Sequence, residues 1–237
     1  TSAAVMFTGG KDSSSALLRA SMNGYRIAVL VSVVPQYDYS YLYHRPHFQA
    51  LSLQSYSLGV PLETVGVSNE SREREVLEKA LDRVKMRYGV ETLVTGGLFS
   101  RFQKRVFEEV AGRVGLEVYA PWWGVDEEEY LYRVLDMGVK FIIVRVSTMG
   151  LPHSLIGKEI TRDDVDSIIR LSKKYGFNPS FEGGEAETLV VDMPLFRYRL
   201  NVYGVVRSVS EYEGYLEIKR VALAAKNTWT PRVTSWS

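Results

Sequence analysis

The residues best suited to chemistry lie near the start of the chain, in the run Thr8-Gly9-Gly10-Lys11-Asp12-Ser13. The run follows an apolar stretch and precedes a helical pattern. It therefore reads as a strand-to-helix turn at the carboxyl edge of a sheet, where doubly wound folds bind ligands. Two glycines let the backbone turn tightly and approach an anion. The helix start behind them offers unpaired N–H groups and the positive end of a dipole. Thr8 and Ser13 add hydroxyls, and Lys11 adds charge. This is phosphate-binding chemistry. A helix terminus favours an anion by only ~0.3–1 kcal/mol, rising to ~2 in good geometry. Micromolar nucleotide binding needs about 8 kcal/mol. Charge-assisted hydrogen bonds, a base pocket and Mg²⁺ must share the task. The spacing is neither GxxxxGK[ST] nor GxGxxG. An ordinary Gly-rich turn is the plainer alternative.

A second cluster is Glu182-Gly183-Gly184-Glu185-Ala186-Glu187-Thr188. Three carboxylates around an irregular turn can hold a cation or act as a general base. A solvated acidic turn ahead of a strand is the plainer alternative. Gly96-Gly97 follow an apolar stretch, at the same sheet edge as the first turn, and are candidates for nucleotide contact. His44 and His47 flank Pro46. Two histidines without cysteine are too few for a zinc site, which leaves a substrate or adenine contact or a surface role. His153 in a loop could line a cleft, although a plain surface role suits it better; Asp38 could help bind Mg²⁺ or equally serve as a turn acid. The metal ligands remain undefined at this level.

The elements that must position these residues alternate. Strands are expected at 3–7, 27–33, 62–65, 91–95 and 116–119, and helices at 12–23, 46–57, 70–88, 100–114 and 126–137. The stretch from Ile27 to Val33 is almost continuously β-branched or leucine, the mark of a strand buried on both faces. Leu77, Leu81 and Val84 fall at helical spacing, with Gly89 as a stop signal. Alternating strands and helices predict an α/β fold, a doubly wound parallel sheet with helices on both faces. After Val139 the texture changes: a strand at 140–147, a helix at 163–175, then strands at 188–192, 198–206 and 215–220. We expect a nucleotide-binding domain at 1–138, a smaller C-terminal α+β substrate domain at 139–226 and a loose tail at 227–237.

Composition narrows the function. The 237 residues are 46% hydrophobic and 24% charged, ordinary for a globular protein that buries a core without staples. Lys and Arg number 29 against 28 Asp and Glu. A dominant electrostatic grip on nucleic acid is not expected at that balance. The chain has no cysteine, which removes thiolate nucleophiles, persulfide carriers and disulfides. That fits a cytoplasmic protein. No apolar run is long enough to span a membrane, and residues 1–7 lack the pattern of a signal peptide. A homodimer is left open.

Thr8–Ser13 resembles the SGGKDS loop of the N-type ATP pyrophosphatases, the PP-loop enzymes, with Thr8 in place of the usual serine. The resemblance implies an adenine nucleotide alpha hydrolase-like (HUP-type) fold and cleavage of ATP to AMP and pyrophosphate. Thr8, Gly9, Gly10, Lys11, Asp12 and Ser13, with Gly96 and Gly97, would bind ATP, and Mg²⁺ is expected. The missing cysteines argue against sulfur-transferring relatives and against a built-in glutaminase, so free ammonia fits best as the nucleophile.

Residues 182–190 are similar to the EGGEYETLV segment of the diphthine–ammonia ligase family. Further matches are Tyr41-Leu42-Tyr43, Ser100 with Gln103, Trp123, Gly157-Lys158, Pro194-Leu195-Phe196 and Gly214-Tyr215-Leu216. This resemblance implies adenylation of the carboxylate of diphthine, a modified histidine on translation elongation factor 2. Coupling to ammonia would then give diphthamide, AMP and pyrophosphate. It implies catalytic roles for Lys11, Asp12, Glu185 and Glu187. It implies substrate contacts at Tyr41, His44, Ser100, Gln103, Trp123, Glu182, Gly183, Gly184 and Thr188. Trp122, Trp123, Tyr41 and Phe102 are candidates to face the trimethylammonium of diphthine. The chain departs from the family pattern at Arg101-Phe102, at Val106 and at Ala186. Related ligases with another acceptor, such as a tRNA base, and a non-catalytic ATP-binding module are the competing readings.

If the first turn cradles phosphate, Gly10→Ala crowds the anion and should cripple ATP turnover; a variant that turns over normally would contradict the assignment.

Overall fold

The computed structural model describes residues 1–36 and 47–226. Five short strands form a parallel sheet: β1 (Ser2–Met6), β2 (Arg26–Pro35), β3 (Leu62–Val67), β4 (Thr92–Val94) and β5 (Glu117–Tyr119), in the order β3-β2-β1-β4-β5. All five residues of β1 are buried, as the central place of an apolar strand requires. Its side chains alternate. Ala3 and Val5 enter one core cluster, and Ala4 and Met6 enter the other.

The helices divide between the two faces. α1 (Lys11–Met22) and α2 (Phe48–Leu58) pack on the Ala3 side through Leu17 and Leu51. α3 (Glu73–Tyr88) and α4 (Arg101–Arg113) pack on the Ala4 side through Leu77, Leu81, Val106 and Val110. The strand order reverses between β1 and β4. The turns after these two strands therefore diverge to opposite sides and leave a crevice at the carboxyl edge.

A second sheet is antiparallel. It contains β6 (Lys140–Ser147), β7 (Ala186–Asp192), β8 (Tyr198–Ser208) and β9 (Glu213–Ala225), in the order β7-β6-β9-β8. α5 (Glu127–Asp136) and α6 (Arg162–Tyr175) accompany it. The cluster that holds Ala3, Val5 and Leu17 continues through Phe141, Ile143 and Val190. The two sheets thus share one core across residue 138.

The α/β class, the parallel sheet and the smaller α+β half agree with the sequence reading. Details differ for local reasons. The helix expected from Glu70 opens with a 3₁₀ turn, Glu70–Arg72, and becomes α-helical only at Glu73. α2 starts at Phe48 because His47 is its N-cap and accepts from the Ala50 N–H at 3.2 Å. β8 and β9 outrun their apolar cores because they pair with each other from Tyr198↔Ala225 to Ser208↔Gly214. The expected tail at 227–237 lies outside the described residues.

Gly96 shows how tightly the two turns meet. A Cβ there would lie 2.7 Å from the Asp12 carbonyl carbon and 2.9 Å from the Ser13 nitrogen. Both are backbone atoms that cannot swing aside. At Gly97 the nearest atom is a Glu182 carboxylate oxygen at 3.5 Å, an ordinary contact. Gly96→Ala should therefore cost about 1–3 kcal/mol in urea unfolding, with Gly97→Ala close to neutral; equal stability of the two variants would contradict this packing.

Candidate active site

The turn after β1 is shaped by its own hydroxyls. The Thr8 N–H donates to Ser13 Oγ at 3.1 Å, and Gly9 sits at φ +79°. α1 begins at Lys11 with Gly10 as N-cap and without a side-chain cap. Beyond the Lys11 N–H, the first-turn N–H groups of Asp12 and Ser13 are left for the crevice. A cavity opens there, lined by Thr8, Gly10, Lys11, Asp12 and Ser13 on one side and by Thr95, Gly96 and Gly97 after β4 on the other. β7 supplies a further wall through Ala186, Glu187, Thr188 and Leu189. Sequence-distant segments thus meet at the switch point of the parallel sheet.

The turn is also tied to β7. The Lys11 N–H donates to Thr188 Oγ1 at 3.0 Å, and the Val190 N–H donates to the Gly9 carbonyl at 2.8 Å. A Cβ on Gly10 would stand 3.1 Å from the Thr188 carbonyl oxygen. Gly10 therefore owes its size to a protein strand as well as to any anion.

Lys11 departs from the simple picture of a charge held out to phosphate. It is 1% exposed, and its Nζ donates to Asp12 Oδ1 and to the Ser180 carbonyl, both at 2.7 Å. The rings of Tyr130 and Phe181 lie 5.3 and 5.2 Å from the ammonium. An ammonium has three protons. One of them holds the turn to the segment after α6 through Ser180, and a second stays within the turn on Asp12. Asp12 Oδ1 also accepts from the Tyr130 hydroxyl at 2.5 Å. Burial, then the nearby Asp12 charge, pushes the Tyr130 phenol well above its ordinary value, so it remains a donor. Behind it, Trp122 Nε1 donates to Ser15 Oγ at 2.9 Å. Trp122 is fully buried core and does not line the cavity.

The Glu-Gly-Gly-Glu segment divides its labour. Glu182 accepts from the Leu98 and Phe99 N–H groups at 2.6 and 2.7 Å, clamping the turn after β4. It also lines the cavity. Glu185 does not line it. One of its oxygens accepts from the Asn178 N–H at 2.7 Å, and the other is buried without a hydrogen bond. The expected catalytic Glu185 is thus turned into its own loop, because Gly183 leaves the space it fills: a Cβ there would lie 2.8 Å from Glu185 Oε1. Gly183 and Gly184 shape that loop and stay out of the cavity lining. Phe181, at φ +66°, adds a residue in the left-handed region. Glu187 and Thr188 face the cavity.

Ser100, Gln103 and Trp123 line the cavity as well. Ser100 is the N-cap of α4 and accepts from the Gln103 N–H at 3.4 Å. Lys104 Nζ sits 4.9 Å from the Trp123 ring centre. Phe102 is 51% exposed and outside the lining. His47 reaches the cavity, whereas His153 pairs with Ser208 Oγ at 2.7 Å elsewhere. Asp38, Tyr41 and His44 lie outside the described residues. Gly9 forms the turn without lining the cavity.

Sequence reasoning missed Gln54. It is fully buried on α2, where its Nε2 donates to the Gly9 and Val190 carbonyls at 3.0 and 2.9 Å. A polar residue on the helix face shared with Ala50 and Leu51 was the available signal. Among the described residues no group of three or more His, Cys, Asp or Glu could hold a metal ion. An ion carried on a nucleotide's phosphates needs only one or two carboxylates. Asp12, whose side chain is 38% exposed beside the turn, suits that use.

Burial is the largest influence on Glu182 and raises its carboxyl above the ordinary value of 4.5, outweighing the two N–H donors that favour ionisation. The folded state then holds the proton more tightly than the unfolded one. Stability from this group is full below about pH 4.5 and is lost as pH rises through the raised value. Glu182→Gln, uncharged throughout, should flatten the fall in stability from pH 4.5 to neutrality measured by urea unfolding; parallel profiles would contradict the clamp's burial.

Comparison with known proteins follows the same division. A family model described as the diphthamide synthase N-terminal domain matches residues 1–118, and one described as the diphthamide synthase C-terminal domain matches residues 126–224. The chain is 30% identical over 220 residues to a human protein named diphthine–ammonia ligase, covering 84% of this chain and 82% of that one. It is 28% identical over 253 residues to the mouse protein of the same name, covering 96% and 94%. A solved structure titled as a predicted subunit of tRNA methyltransferase from Methanocaldococcus jannaschii aligns with 82% of this chain and 98% of its own at 15% identity, with a TM-score of 0.44. From both domain models and the extent of the human match, the chain belongs to the diphthamide synthase (diphthine–ammonia ligase) family.

Proposed function

We propose that this protein is an ATP-dependent ligase that converts the carboxylate of diphthine, on translation elongation factor 2, into the amide of diphthamide. One observation carries the reading: the start of α1 and the Gly96-Gly97 turn share a single cavity with Glu187 and Thr188 of β7. On this reading a phosphate site and an acceptor wall lie side by side.

The chemistry runs in two displacements. A carboxylate oxygen of the acceptor attacks the α-phosphorus of ATP, the bond from that phosphorus to the bridging oxygen breaks, and pyrophosphate leaves. Ammonia then attacks the acyl carbon of the adenylate, the bond to AMP breaks, and the nitrogen loses a proton. Thr8, Gly10 and Ser13 hold the β- and γ-phosphates through hydroxyl and N–H groups. Lys11 and Asp12 fix the turn, and the lysine charge favours the departing anion. Glu187 is the carboxylate best sited to take the proton from ammonium. Asp12 would hold Mg²⁺, which supplies charge neutralisation to the phosphates when bound.

The acceptor's quaternary ammonium suits Trp123, where a cation over the ring is worth ~0.5–2 kcal/mol. Lys104 occupies one approach to that ring, so the acceptor must use the other face or displace it. Ser100, Gln103 and Glu182 border the same wall. We assign residues 1–138 as the nucleotide-binding domain and 139–226 as the substrate domain, with Ser100, Gln103 and Trp123 of the first contributing to the acceptor wall. None of the described helices is long and apolar enough to cross a membrane. An elongation factor as substrate would place the reaction in the cytoplasm. A second copy of the chain is compatible with the reading and not required by it.

Release of AMP and pyrophosphate should require both ammonium and diphthine-bearing elongation factor, followed by chromatographic detection of nucleotide products and mass analysis of the factor. Nucleotide cleavage without amide formation would contradict the substrate.

A further inference from the structure

We infer that Gln54 is a positioning residue for the phosphate-binding turn: its side-chain amide fixes the Gly9–Gly10 peptide with the Gly10 N–H toward the cavity and the Gly9 carbonyl away from it. The inference rests on the proposed use of this turn for nucleotide phosphates.

The described chain has no cis peptide bond. In a trans peptide the carbonyl and the following N–H point in opposite directions. The Gly9 carbonyl accepts from Gln54 Nε2 at 3.0 Å and from the Val190 N–H at 2.8 Å, on the side of α2 and β7. The Gly10 N–H therefore faces the other way. Its hydrogen bond within the turn, to Thr8 Oγ1, is long at 3.3 Å, which leaves it ready for a stronger acceptor. Gly10 lines the cavity and Gly9 does not.

A Gly-Gly peptide is the one most able to rotate, because neither residue resists an unusual φ. Rotation would turn a carbonyl oxygen toward the phosphate site, an acceptor facing an anion. Gln54 opposes this. Its amide is fully buried, and it also donates to the Val190 carbonyl at 2.9 Å. Rotation of the peptide would strip a buried donor of one partner, which is costly. The fit is reciprocal, since a Cβ on Gly9 would lie 2.3 Å from Gln54 Oε1. A role in packing alone would be met by an apolar side chain of the same length, without burying an amide among Ala50 and Leu51.

The test is calorimetric titration of the wild-type protein, Gln54→Met and Gln54→Glu with pyrophosphate and, separately, with AMP, beside thermal unfolding of each. Gln54→Met keeps length and shape but has no donor. It should lose pyrophosphate affinity by about tenfold, the scale of one oriented hydrogen bond, while AMP affinity stays within about twofold. Gln54→Glu should show the same loss at neutral pH and recover relative to wild type as pH falls, because a protonated carboxyl regains a donor. Unchanged pyrophosphate affinity in Gln54→Met, equal loss of both ligands, or variants too unstable to bind either would overturn the inference and leave Gln54 a structural residue. A wild-type protein that binds AMP but no pyrophosphate would instead overturn the phosphate reading, and the inference with it.

Discussion

An anion site built from backbone needs N–H groups that are both unpaired and immobile. The turn at Thr8–Ser13 meets that demand by fastening its other groups elsewhere. The Gly9 carbonyl is held by Gln54 and Val190, the Lys11 N–H by Thr188, and the Lys11 ammonium by Asp12 and Ser180. Of these partners, Gln54 comes from α2, while Ser180, Thr188 and Val190 come from the second half of the chain. The Thr8–Ser13 turn is therefore completed in part by a sheet that the parallel fold does not contain. The two halves of the chain are coupled at this turn.

The same coupling explains the Glu-Gly-Gly-Glu segment. A loop that must reach from α6 to β7 passes directly over the turns after β1 and β4. Glu182 fastens it to Leu98 and Phe99, Ser180 fastens it to Lys11, and Glu185 closes it internally on Asn178. One of its three acids, Glu187, lies on the strand itself, among the residues that line the cavity. Glu182 and Glu185 each accept from backbone N–H groups at this seam, and Lys11 is matched by the Asp12 carboxylate, in keeping with the cost of an unpaired buried charge. What looked like an acidic patch is largely a set of ties.

Much of this was legible before the fold was known. The β-branched run of β2, the Gly89 stop after α3 and the position of the Thr8–Ser13 turn are local signals, and local signals survive in one dimension. The parallel sheet followed from their alternation. The partners of each polar group did not. Lys11 reads as a phosphate ligand because its charge is visible and Ser180, far along the chain, is not. Glu185 and Glu187 are indistinguishable in composition, and only the packing of Gly183 against Glu185 separates them. Gln54 lay hidden inside an apolar helix face. The lengths of β8 and β9 depended on mutual pairing rather than on their own residues.

Where the nucleotide's phosphates rest decides which bond they expose to the acceptor. A crystal structure of the protein with ATP tests that placement most directly. The account predicts the β- and γ-phosphates against the N–H groups at the start of α1, with the α-phosphorus turned toward Glu187 and Trp123. Triphosphate seated away from this turn, or with its terminal phosphorus rather than the α-phosphorus facing the acceptor wall, would contradict it.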